Sequence, residues 1–301
     1  MISRKVFNMV LALCGLSLFA SCSPKSSEQS GQTFQSAQTS NIVGGVDSTL
    51  DYQKANGIVG VLMIFKDQLG GTMGAGCTAS LIAKNVVVTA AHCLLTPKPG
   101  LSLVGAVVYF GTDQSEVMKQ VSLGDKSNLR QIDGVLRNSN YKPGMNGTNN
   151  DIGLIRFAGE LPAGFQLASR ATVANTSALK AGSTLTLAGF GLSQYKMDPT
   201  SGKLAGTGSG VLRQIDNMVV TSVSADGDEI TLDQSQDRGA CHGDSGGPAY
   251  AVDPVTQKNI LIGITSRTTD PRGLCAQNSI YTAVSGYAAW IDAGLVQLAA
   301  Q

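Results

Sequence analysis

The chain has 301 residues, a formal net charge of +1 from 22 Lys+Arg against 21 Asp+Glu, and 14% charged residues. That length buries a core of ordinary size without a metal or cofactor to organise it. The near balance of charge leaves no basic footprint for nucleic acid or an anionic membrane surface. The 36 glycines, with short Val, Ile, Leu and Thr runs broken by Gly, Asn and Asp, point to an all-β chain rich in turns.

At the start, Arg4 and Lys5 precede an apolar stretch from Val6 to Ala20, the layout of an export signal and too short to read as a membrane span. The segment Phe19-Ala20-Ser21-Cys22 resembles a bacterial lipoprotein signal, with Phe19 an atypical residue for it. That resemblance implies cleavage before Cys22 and lipidation of its thiol; the rival reading is an ordinary signal cut nearby. Residues 1–22 are therefore expected to be an export signal, and any membrane association to run through a lipid on the precursor alone. Residues 23–41 are dominated by Ser, Gln and Thr with Phe34 the single aromatic, too little apolar surface to offset ordering, so they read as a tether or propeptide.

From Ile42 the composition changes, and one folded domain is expected over 42–298. Strand-like runs follow at Ile58–Phe65, Asn85–Thr89, Gly105–Phe110, Ser183–Gly191, Asn217–Val223 and Asn259–Thr265. The segment Ala158–Ala174 has no clear strand period and is expected to join two halves, about 42–157 and about 175–285. Val284, Tyr287, Ile291 and Leu295 recur at three- or four-residue steps, which predicts a packing helix over about 284–298 with Trp290 as a core anchor.

Of six cysteines, Cys14 and Cys22 belong to the leader; Cys77, Cys93, Cys241 and Cys275 remain, an even number suited to two disulfides in an oxidising compartment. Zinc is the competing reading, because His92 adjoins Cys93 and His242 adjoins Cys241. Adjacent ligands point apart, however, and no CxxC or HxxxH spacing is present, so no metal is expected.

The strongest chemical signal is Cys241-His242-Gly243-Asp244-Ser245-Gly246-Gly247-Pro248, a serine in a glycine-flanked turn. Such a turn would aim the amides of Gly243 and Ser245 at one point, where an oxyanion is stabilised. A hydroxyl needs a base, and the base a carboxylate to fix its tautomer. The chain has two histidines: His242 lies in the serine's own turn and reads as a rim residue, whereas His92 follows the apolar run Asn85–Val88 and is the better base. Asp151 enters the apolar run Ile152-Gly153-Leu154-Ile155, where a desolvated carboxylate must find a donor.

These segments together resemble the chymotrypsin and trypsin-like serine proteases. The matching residues are Ile42-Val43-Gly44-Gly45, the Cys77–Cys93 block, Asp151-Ile152-Gly153-Leu154, the Ser245 turn, and Tyr281-Thr282 with Trp290-Ile291, in order. The resemblance implies two packed six-stranded antiparallel β-barrels and a C-terminal helix. It also implies a catalytic set of His92, Asp151 and Ser245, and the pairings Cys77–Cys93 and Cys241–Cys275. Ser266 would support the aspartate. Cleavage before Ile42 would free an amine that pairs with Asp244 and orders the oxyanion turn. The primary pocket would be formed by Gly239, Thr268 and Ser279, favouring small or medium uncharged side chains in the manner of elastases; Arg267 stands where the family has a tryptophan. No cofactor is implied, the partners are protein or peptide substrates, and a monomer, periplasmic or extracellular after release, is expected. The competing function is a catalytically silent, protease-like binding module on the cell surface.

Overall fold

The computed structural model describes residues 42–144, 149–198 and 204–301; the leader, the tether and Cys22 lie outside the described residues. After a short strand β1 (Val46–Asp47) come β2 (Ile58–Lys66), β3 (Thr72–Ala83), β4 (Val86–Thr89), β5 (Ser102–Tyr109), β6 (Leu129–Arg137) and β7 (Gly153–Phe157). These last six close an antiparallel barrel in the order β2-β3-β4-β7-β6-β5. Closure leaves no edge strand on which another chain could pair.

A second barrel repeats the path. The two-residue β8 (Ser169–Arg170) precedes β9 (Thr184–Gly189), the hairpin β10 (Gln194–Met197) and β11 (Leu204–Thr207), then β12 (Arg213–Val223), β13 (Glu229–Asp233), β14 (Pro248–Val252), β15 (Asn259–Thr268) and β16 (Asn278–Ala283). The closed order is β9-β12-β13-β16-β15-β14, antiparallel throughout. The expected fold class, two six-stranded antiparallel barrels with a C-terminal helix, is what the chain adopts.

Strand alternation explains where each core lies. On β2, Val59, Val61, Met63 and Phe65 point into the first barrel, while Ile58 faces the second. Leu185, Leu187, Ile215, Val220, Ile230 and Tyr281 fill the second barrel. Between the two, residues of both halves, among them Val88, Tyr109, Leu154, Phe190 and Leu261, form one apolar layer. Tyr109 and Phe190 meet there edge to face, ring centroids 5.1 Å apart. Gly60 makes room for that ring: a Cβ would lie 1.9 Å from Tyr109 Cζ.

The two ends of the domain exchange places. Residues 42–47, grouped with the first half on sequence alone, pack on the second: Val46 and Asp47 pair with Gln214 and Arg213, and Ile42 enters the second core. Apolar burial, available there beside β12, decides this against chain proximity. Conversely, the helix Ala288–Ala299 follows the second barrel but lies on the first, with Gly294 against Leu154 and Leu136 and Arg156 Nη1 donating to Leu298 O. The predicted 284–298 helix divides into a 3-10 turn, Val284–Tyr287, and this α-helix. Its buried face is Ile291, Gly294 and Leu298, since the glycine admits the closest approach; Leu295 and Trp290 are only partly buried against the interbarrel layer.

Each legible strand is present, with bounds shifted by a few residues. The strands not anticipated include the longest one, β3, where Gly74 and Gly76 interrupt the pattern and read as turn signals. Pairing of Thr72–Ser80 with the full length of β2 overrides that local preference. Three further helices, Leu50–Asn56 capped by Thr49, Gln114–Ser122 capped by Asp113 and Val173–Ser177 capped by Thr172, also lie outside the sequence-based expectations.

Candidate active site

His92 sits in the 3-10 turn Ala91–Leu94 that leaves the buried strand β4, and the disulfide Cys77–Cys93 pins that turn to β3. Asp151 stands two residues before the start of β7, after a turn in which Asn150 adopts φ +56°. Its carboxylate is 1% exposed and accepts from His92 N–H at 2.9 Å, His92 Nδ1 at 2.7 Å and Ser266 Oγ at 2.7 Å. These donors replace the hydration that burial removes. With Nδ1–H directed at Asp151, the lone pair on Nε2 is left for the cleft, the tautomer a general base requires.

Ser266 reaches Asp151 because of a β-bulge. Thr265 pairs with Tyr281 but Arg267 with Ile280, so Ser266 is the extra residue and its hydroxyl turns toward the first barrel. Thr282 Oγ1 also crosses the junction, donating to Asp151 O at 3.0 Å. Desolvation together with the Asp151 charge pushes the hydroxyl of the nearby Tyr141 up to about 12.

Ser245 lies in the turn before β14, part-exposed at the same cleft, and its carbonyl accepts from Thr78 N–H of the first barrel at 2.8 Å. Gly243 and Gly246 adopt φ +101° and +78°, a region that favours glycine. A Cβ at Gly246 would lie 1.9 Å from Thr89 Oγ1. In this turn the amides of Asp244, Gly246 and Gly247 donate to Cys241, Thr265 and Asp244 carbonyls. Those of Gly243 and Ser245 donate to no acceptor among the described residues. Two unused amides on either side of Asp244 are what a developing oxyanion needs.

Asp244 is 1% exposed, and its oxygens accept from Gly191 N–H and Cys241 N–H, both at 2.7 Å. Burial nevertheless pushes its carboxyl up to about 7. Ile42 is likewise 1% exposed, and its neighbour Val43 accepts from Gly239 N–H at 2.7 Å. Ile42 and Asp244 share no hydrogen bond or ion pair among the described residues.

The cleft measures about 370 Å³ and is lined by His92, Asp151, Ser245 and Ser266, with walls from Ala240, Thr268, Ser279 and the Cys241–Cys275 disulfide. Gly239, expected at the base of the primary pocket, is bridged to Val43 instead, and it is Ala240 that faces the cavity. The reason is a buried amide with no signal in the sequence. Gln234 Oε1 accepts from Ala240 N–H at 2.7 Å, while its Nε2 donates to Ala240 O and Cys275 O at 3.1 and 3.3 Å. Gly239 packs on this side chain at φ +134°, where a Cβ would meet Gln234 Oε1 at 2.4 Å. His242 is exposed at the rim, its Nε2 2.9 Å from Gly273 O. Cys77, His92 and Cys93 cluster within metal-ligand range, but the sulfurs are bonded to each other and Nδ1 is committed to Asp151.

Comparison with known proteins agrees with this architecture. The chymotrypsin of Phaedon cochleariae is 27% identical over 303 residues, spanning 96% of this chain and 97% of that relative. A fibrinolytic enzyme, isozyme C, of Lumbricus rubellus is 25% identical over 237 residues, 73% of this chain and 89% of that enzyme. Among solved structures, an HL collagenase shares the fold with a TM-score of 0.60 at 21% identity, covering 84% of this chain and 98% of that one. The family model described as Trypsin matches residues 61–291, across both barrels and into the last helix, and the chain belongs to the trypsin family.

Proposed function

We propose that this chain is an exported serine endopeptidase that hydrolyses peptide bonds through an acyl-enzyme on Ser245. His92 takes the Oγ proton as the oxygen attacks the scissile carbonyl carbon. The amides of Gly243 and Ser245 hold the resulting oxyanion, and His92 returns the proton to the departing amine. Water then attacks the acyl-enzyme by the same route and regenerates Ser245. The observation that carries the reading is the 2.7 Å contact of His92 Nδ1 with a buried Asp151 in a cleft also lined by Ser245. A fluorophosphonate probe on protein beginning at Ile42 should label Ser245, and both Ser245→Ala and His92→Ala should abolish labelling. An unlabelled wild-type domain would favour the silent binding module.

The cleft supports a preference for small or medium uncharged side chains before the scissile bond. Among the described residues, Asp151 is the single carboxylate lining it and is already committed to His92 and Ser266, which leaves none of these acids for a Lys or Arg side chain. A peptide-library profile dominated by cleavage after Lys or Arg would overturn this.

Activation belongs to the same proposal. A cut before Ile42 frees an α-amine whose charge would neutralise Asp244, a carboxylate that burial pushes up to about 7 against the lowering effect of its two backbone donors. If Cys22 is lipidated, that cut also releases the domain, because Cys77, Cys93, Cys241 and Cys275 are paired with one another. A membrane fraction already beginning at Ile42 would disprove release by activation.

A further inference from the structure

Beyond Ser266 the cleft wall is an ion pair. Arg267 follows the bulge on β15, and its side chain is 11% exposed, as is that of Glu229 at the start of β13. Nη1 donates to Oε1 at 2.8 Å and Nη2 to Oε2 at 2.9 Å, the two-pronged geometry that fixes both planes. Glu229 Oε1 accepts a further bond from Asn149 N–H, at 3.2 Å. Asn149 belongs to the first barrel, is 4% exposed, and leads through Asn150 directly into Asp151. Both Arg267 and Asn149 line the cleft.

One carboxylate thus links a wall contributed by the second barrel to the loop that presents Asp151 from the first. Ion pairs buried in this way add little to stability beyond what an apolar pair of similar volume would. What this one supplies is geometry and charge balance beside the reacting groups.

We propose that Glu229 is a positioning and specificity-determining residue: it holds the Asn149–Asp151 segment against His92, and it neutralises Arg267 so that the cleft does not select acidic side chains. The inference rests on the hydrolase reading and extends it to the subsite next to the primary pocket. A substrate paired along the backbone of 266–268 lays its upstream side chains against the Arg267 plane. With its charge balanced, that plane favours uncharged and aromatic side chains, which stack on a guanidinium, over Asp and Glu.

The test compares Glu229→Gln, Glu229→Ala and the double variant Glu229→Leu/Arg267→Leu, each measured by fluorophosphonate labelling rate and by a peptide-library cleavage profile. Gln keeps an oxygen for Asn149 but loses the charge, so E229Q should gain about tenfold in preference for Asp or Glu upstream of the cleaved bond. Ala loses both functions and should label about tenfold more slowly than E229Q, with the same shift toward acidic residues. The double variant carries no stranded charge and stays informative if E229A fails to fold. It should label as slowly as E229A is expected to, without acidic preference. An E229Q profile identical to wild type would overturn the specificity role, and a double variant labelling at the wild-type rate would overturn the positioning role. A wild-type domain that takes no label would instead sink the hydrolase reading on which both depend.

Discussion

Asparagine at position 244 should stabilise the uncut chain at pH 8 and destabilise it at pH 4. Burial raises the Asp244 carboxyl from 3.8 to about 7, and at 1.36 kcal/mol per pH unit that difference is about 4 kcal/mol of folding free energy. Because the folded-state value is the higher one, the folded chain holds a proton that the unfolded chain releases. The contribution is fully present below 3.8 and is lost as pH rises to about 7. Above that, the folded chain carries an unneutralised buried carboxylate. Asn removes this burden, but its amide nitrogen cannot accept from Gly191 or Cys241, which costs about 1–3 kcal/mol. The balance at pH 8 is a gain on the order of 1–3 kcal/mol, and at pH 4 only the loss remains. Urea denaturation of uncut Ser245→Ala with and without Asp244→Asn, at both pH values, measures it. Under the proposed activation, in which the freed Ile42 amine pairs with Asp244, the same substitution should abolish activity of the cut form. A stability difference of one sign and one size at both pH values would refute the reasoning.

Asp151→Asn should leave the domain folded but lower kcat by about 10⁴-fold, since an amide N–H facing His92 Nδ1 forces the imidazole into the wrong tautomer; single-turnover kinetics would read the loss. Gly246→Ala places a Cβ 1.9 Å from Thr89 Oγ1 and 2.4 Å from Thr78 O, and calorimetry should show a loss of more than about 2 kcal/mol together with lost labelling. Removing Cys241–Cys275, which spans 34 residues, should cost about 4 kcal/mol, against about 3 for Cys77–Cys93, which spans 16. The first removal should also broaden the cleavage profile, because that bridge lines the cleft.

Read as a linear text, the chain already carries the chemistry of the cleft. His92, Asp151, Ser245 and Ser266 are residue types that hydrolysis needs, and the glycines around Ser245 betray a turn closed to other residues. Short continuous apolar runs such as Ile58–Phe65 reveal strands, here one buried on both faces. None of this identifies partners distant along the chain. That Gln234 lies under Ala240, that Glu229 clamps Arg267 and reaches Asn149, and that Ile42 packs with the second barrel while Leu298 packs with the first, all depend on how strands pair. Even at the pocket base, where the family resemblance implies Gly239, it is Ala240 that lines the cavity. A residue's identity and immediate neighbours determine what chemistry it can perform. Barrel closure and the bulge at Ser266 decide which groups meet, since a one-residue change of register turns a side chain to the opposite face.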